Sequence, residues 1–141
     1  MTKNSPRSLT SKQIDAVEHE LNFRFPASLR EAYVQSNGGS PDRCIFQSQV
    51  IDTAVSEFLP LLSDKIRPAT ATYKYLVLEK KLVPPHYFPF AVDSGGDYFF
   101  VDCSVPCGRV FLLRHDTIFE RVIDTGLTHK EFIDFLRQED D

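Results

Sequence analysis

Tryptophan is absent from this 141-residue chain and cysteine is held to three. No stretch approaches the roughly 18 consecutive apolar residues of a membrane-spanning helix, so a spanning segment is not expected. Cys44, Cys103 and Cys107 are odd in number and sparse. A secreted disulfide scaffold wants more cysteines and an even count, so free thiols in a reducing compartment are expected. Cys103 and Cys107 flank Ser-Val-Pro at a spacing compatible with a metal pair. Two ligands without a second cysteine or histidine pair do not make a zinc site, and neither metal nor cofactor is expected. The opening MTKNSPRSLTSK has only Met1 and Leu9 as large apolar residues, too few for a secretory signal, which points to the cytoplasm.

An excess of positive charge is missing too. Sixteen basic and 20 acidic residues give a net charge of −4. Residues 1–70 hold eight of each sign, while residues 71–141 hold 12 acids and eight bases, so the imbalance lies in the second half. Direct nucleic-acid binding needs a basic face to displace phosphate counterions, and the chain is a poor candidate for it. An acidic face suits a basic protein partner and speeds the encounter. The same modest charge also keeps a small domain soluble.

What is present is apolar and aromatic: 42% hydrophobic residues, 12 of the chain's residues being phenylalanine. That supports one domain with a real core. The expected organisation is a flexible N-terminus over 1–9, a single domain over 10–138 and a frayed acidic tail over 139–141. Thr10 or Ser11 can cap a helix in which Ile14, Val17 and Leu21 form one stripe. A second helix from about Ala27 pairs Leu29 with Tyr33 and stops at Asn37-Gly38-Gly39, where a positive φ can close the last turn. Residues 44–50 alternate as a strand. Residues 51–62, with Val55, Phe58, Leu59 and Leu62, have the spacing of a short amphipathic helix. Residues 69–82 fit helix or strand, and the closing basic pair favours helix. A meander then follows over 88–92, 97–103, 108–114 and 118–123, with a turn at His115-Asp116. Thr128 caps a final helix with Glu131 placed for a capping box and Phe132, Phe135 and Leu136 as its stripe.

The most distinctive stretch is PFAVDSGGDYFFVDC, residues 89–103. A dinucleotide fingerprint needs G-x-G-x-x-G leading into a helix, and a P-loop ends in Gly-Lys-Ser/Thr. Here the glycines Gly95 and Gly96 lead into a strand, between Asp93 and Asp97, whose carboxylates would repel phosphate. Asp97 and Asp102 are five apart, hence on opposite faces of one regular strand. A hairpin turn with glycines at unusual backbone angles explains the residues better than a metal or acid–base centre. The histidines His19, His86, His115 and His129 are scattered and no G-x-S-x-G elbow occurs, although Cys103 and His115 could meet in space. Tyr98, Phe99 and Phe100 are consecutive, so they populate both faces of a strand: either it is covered on both sides, or one aromatic faces a partner.

Residues 14–39, IDAVEHELNFRFPASLREAYVQSNGG, resemble the opening of the SMI/KNR-type domain of the SUKH superfamily: a helix with Glu18, the Phe25-Pro26 step, then a helix with Leu29 and Tyr33 running into Asn37-Gly38-Gly39. PFAVDSGGDYFFVD resembles its central hairpin, GRVFLLRHD (108–116) its next strand, and the helix with Phe132 and Phe135 its last element. Many members carry a tryptophan early in the sheet region, and here Cys44 to Phe46 would fill that place. Phe25 stands where leucine is usual. The resemblance implies an α+β fold, a mostly antiparallel sheet with helices packed around it, and no catalytic activity. It also implies a bacterial immunity protein that binds and neutralises a toxin domain, often a nuclease. The alternative within the family is a regulatory or scaffold module without a toxin partner.

Nuclease sites hold phosphates and are basic, so an acidic inhibitor could cover one without chemistry. The candidate contacts are Asp93, Asp97, Asp102, Asp116 and Glu120, with Tyr98 as an aromatic anchor. Asn37, Gly38, Gly39, Gly95 and Gly96 read as structural turn residues. The partner would be a basic toxin domain, with neither nucleic acid nor membrane bound directly, and the protein itself a monomer or weak homodimer.

Overall fold

The computed structural model describes residues 2–3, 8–64, 66–114 and 121–139. The expected turn at His115-Asp116, the candidates Asp116 and Glu120, and most of both termini lie outside the described residues.

The chain runs β1 (Thr2–Lys3), α1 (Ser11–Leu21), α2 (Ala27–Gln35), β2 (Ser40–Pro41), β3 (Ile45–Gln47) and β4 (Asp52–Phe58). It continues through α3 (Ala69–Tyr73), a π-helical turn (Lys74–Glu79), β5 (Tyr87–Asp93), β6 (Tyr98–Asp102), β7 (Arg109–Arg114), β8 (Arg121–Thr128) and α4 (His129–Phe135). β1 pairs with β2, and β3 to β8 form one antiparallel sheet in sequence order. This is the α+β architecture expected.

Thr10 caps α1 through a reciprocal pair with Gln13, and Leu9 and Ile14, both buried, occupy the flanking positions of a hydrophobic staple. Leu9 therefore belongs to the core rather than to a free N-terminus. α2 differs from expectation at its end. Its cap is Ser36 at φ −156, an extended conformation, and the left-handed glycines Gly38 and Gly39 do other work. Gly39 exchanges backbone hydrogen bonds with Phe58, both at 2.9 Å, docking the helix exit on β4. Asn37, fully buried, accepts from the Leu61 N–H at 2.7 Å and donates to the Leu62 carbonyl at 2.9 Å.

The largest correction is β4, expected as a helix over 51–62. Val55 and Leu59 are both buried, and a spacing of four is even as well as helical, so it suits both periods. Pairing decides it: β4 lies between β3 and β5, its backbone groups bonded on both sides, an outcome no local pattern reveals. The segment expected over 69–82 is helical as favoured, first α and then π, but only as far as Glu79. The last strand occupies Arg121–Thr128 among the described residues and so runs past its expected end at 123, while 118–120 lie outside them.

Register shifts at Val55/Glu57, Pro89/Ala91 and Arg109/Phe111 mark bulges that curl the sheet. The bulge at Pro89 also explains how proline sits in a central strand. It turns Phe90 and Ala91 toward the same side, where Phe90 meets His129 and Phe132 edge-on.

The core lies on that side. Phe88 packs on Phe25 at 4.9 Å between ring centres, and Phe99 on Phe132 at 4.8 Å. Phe46 is fully buried against Phe99, Phe132 and Phe135. Phe135, expected in the buried stripe of α4, is 43% exposed, while Phe132 and Leu136 are buried. The helices thus cover one face of the sheet.

Candidate protein-binding face

The registers of β5 to β8 assign each side chain to a face. Phe99 lies opposite Leu112 and Val101 opposite Val110 on the helix-covered face. The intervening residues point away: Tyr87, Pro89 and Val92 from β5, Tyr98, Phe100 and Asp102 from β6, Arg109, Phe111 and Leu113 from β7, Val122 and Asp124 from β8. No helix packs on this second face among the described residues. Phe100 is fully buried between Pro89 and Phe111 on the adjacent strands. Around it Tyr87, Val92, Tyr98 and Phe111 are half-buried and Val122 is exposed. The Tyr87 and Phe111 rings stack at 4.9 Å.

Carboxylates border this aromatic surface. Asp102 Oδ1 accepts from the Ser104 N–H at 2.9 Å and the Ser104 hydroxyl at 2.6 Å, with His86 Nε2 3.5 Å away. Asp124 accepts from Arg109 Nε at 2.9 Å and from the Gly126 N–H at 2.8 Å. Partial burial pushes the Asp124 carboxyl up, but the Arg109 and Gly126 donors outweigh it and hold it below the ordinary range. Burial, then the nearby charges of Asp102 and Asp124, raise the Tyr87 hydroxyl. Glu57 of β4, opposite Val92, adds a third carboxylate to the same face. The surface is aromatic at its centre and acidic at its border.

Of the expected contacts, Tyr98 and Asp102 share this face, about 13 Å apart along one strand. Asp93 and Asp97 are placed differently, at 6% and 5% exposure. The Asp93 carboxylate is engaged within its own hairpin, accepting from the Thr53 hydroxyl at 2.8 Å and from the N–H groups of Gly95 at 3.0 Å and Asp97 at 2.8 Å. Burial of that kind leaves little of either aspartate for a partner, and Asp93 acts as the turn's internal acceptor. The turn itself is as expected, with one correction: Gly96 is left-handed at φ +87 whereas Gly95 is not. Tyr87, Phe111, Glu57 and Asp124 escaped the sequence reading. Strands apolar on both sides carry no alternation from which an outer face can be read.

Among the described residues the cysteine, serine and histidine side chains are engaged separately, and His115, the possible partner of Cys103, lies outside them. Burial pushes the Cys103 thiol far above its usual range, with the charges of Asp102 and Glu18 adding to it, so it stays protonated. Ser104 and His86 both approach the same oxygen of Asp102, so the serine hydroxyl donates to the carboxylate. His129 is buried, its Nδ1 2.8 Å from the Ser28 hydroxyl. No group of three or more His, Cys, Asp or Glu side chains among the described residues is arranged to hold a metal ion. Among the described residues no helix is long and apolar enough to cross a membrane.

The sequence profile of the SMI1 / KNR4 family (SUKH-1) matches residues 8–138. The chain belongs to this family. The match covers α1 through the segment after α4, so the SUKH-1 unit includes both the helix layer and the open aromatic face. Comparison with curated proteins and with solved structures finds no match. Within the SUKH-1 frame the left-handed Gly38 and Gly108 are fixed by close approach. A Cβ at Gly38 would lie 2.6 Å from the Phe58 carbonyl oxygen, and one at Gly108 2.6 Å from Pro26 Cγ.

Proposed function

We propose that this SUKH-1 protein is an immunity protein, which binds a basic toxin domain such as a nuclease and blocks it without chemistry. The observation that carries the reading is the sheet face on which no helix packs among the described residues, with Tyr87, Tyr98 and Phe111 around a buried Phe100 and with Glu57, Asp102 and Asp124 on the same face. Aromatic side chains give large contact area at low entropic cost, and neighbouring carboxylates steer a cationic surface into place. The rigid sheet presents them preorganised, which lowers the cost of association. A phosphate-binding cleft in the toxin supplies the complementary positive charge.

The test is survival of cells that co-express this protein with the toxin domain encoded beside it, followed by sizing of the complex. Rescue with a stable one-to-one complex supports the reading. Rescue without a complex points to an indirect route, and failure against every neighbouring toxin moves the assignment to a regulatory module.

A further inference from the structure

Among the described residues, large exposed apolar side chains gather on one stretch away from the aromatic sheet face: Ile66, Tyr75 and Leu78. Two cations flank the central ring. Arg67 Cζ stands 5.3 Å from the Tyr75 ring centre and Lys80 Nζ 5.6 Å from it. The π-helical turn Lys74–Glu79 produces this arrangement. The Lys80 N–H donates to the Tyr75 carbonyl, five residues back, at 2.9 Å. A π turn sets residues five apart nearly over one another, whereas an α-helix would place them about 140° apart around the axis. Lys81, at φ +56, then ends the turn.

The charges here are left open. Lys74 is paired with Glu20 at 2.9 Å. Arg67 and Lys80 have no carboxylate partner among the described residues, and both are exposed. In a chain of net charge −4, this is a cationic, aromatic spot, with the exposed Ile66 next to Arg67 in sequence and the exposed Leu78 in the same π turn as Tyr75.

We propose that the π-helical turn, with Ile66 and Arg67, is a second docking site that takes an acidic segment of a partner protein carrying an apolar side chain. Carboxylates of the segment pair with the Arg67 guanidinium and the Lys80 ammonium, which their contact with Tyr75 holds in place. The apolar side chain lies on Tyr75 and Leu78. Two unpaired cations are too few to track a phosphate backbone on an acidic protein. The exposed apolar surface is also much shorter than an interfacial membrane helix needs. The site selects the opposite charge from the sheet face and stands independently of the toxin-binding reading.

The experiment is a titration of the full-length, 15N-labelled protein with a synthetic 12-residue peptide of glutamates interrupted by leucine and phenylalanine. A peptide with lysine in place of glutamate, and vesicles of phosphatidylserine and phosphatidylcholine, run alongside. The expected result is amide shifts centred on residues 66–67 and 75–81 with the acidic peptide alone. Arg67→Glu with Lys80→Glu should weaken binding at least tenfold, and Tyr75→Ala about threefold to fivefold. The charge-matched pair Lys12→Glu with Lys130→Glu should change it less than twofold. No shift at these residues with millimolar peptide, equal loss in both charge variants, or preference for vesicles or the lysine peptide would each overturn the proposal.

Discussion

His129 is held neutral by its burial, which lowers its pKa from 6.5 to about 4, with the Ser28 hydroxyl at its Nδ1 and Phe90 against its ring. The unfolded imidazole takes a proton as pH falls through 6.5, the folded one only near 4, so between those values protonation favours unfolding. Stability contributed by neutral His129 is complete above pH 7 and is lost as pH falls, by about 2 kcal/mol at pH 5. Urea melts across pH 5 to 8 should show this slope in the wild type and a shallower one in His129→Gln, which keeps a neutral hydrogen-bonding side chain. Glycines separate in the same way. Gly38→Ala adds strain at φ +79 and drives a methyl into the Phe58–Pro60 backbone, costing about 3 kcal/mol or more. Gly96→Ala meets open space at φ +87 and costs about 1 kcal/mol. Equal midpoints for the two variants in denaturant would contradict that distinction.

Elements were legible where a local device specifies them. The helix cap at Thr10, one of two residues expected there, the capping box at Thr128, the hairpin at Gly95-Gly96 and the strands β5 to β7 stand where sequence placed them. β4 was not legible, because Val55 and Leu59 satisfy helix and strand spacing alike and only pairing with β3 and β5 selects the strand. The π turn at Lys74–Glu79 was not legible either, since its widened repeat has no distinct apolar signature. Asp93 shows how an element reassigns a residue. In sequence it is an acid in an acidic half; in the hairpin its carboxylate joins β4 to the turn through three hydrogen bonds. Asp93→Ala should therefore destabilise the fold by about 2–4 kcal/mol, by leaving buried donors unpaired. The folded fraction should still bind its partner as the wild type does, and calorimetric unfolding beside binding isotherms separates the two effects.

At the scale of the molecule, the sheet has a helix-covered side that holds most of the core and, among the described residues, a second side without a helix, which the account assigns to a partner. Composition shows the net charge of −4 but not which surface carries the acids. Tyr98 and Asp102 were found by sequence, whereas Tyr87, Phe111, Glu57 and Asp124 join them only through strand register. The most direct test of that assignment is the dissociation constant, by calorimetry, of the complex with the toxin domain against which the protein gives protection. Tyr87→Ala with Phe111→Ala should weaken the complex about a hundredfold or more, as removal of two central aromatics does at an interface, while circular dichroism shows the fold retained. Wild-type affinity in a folded double variant would place the toxin elsewhere and contradict the account.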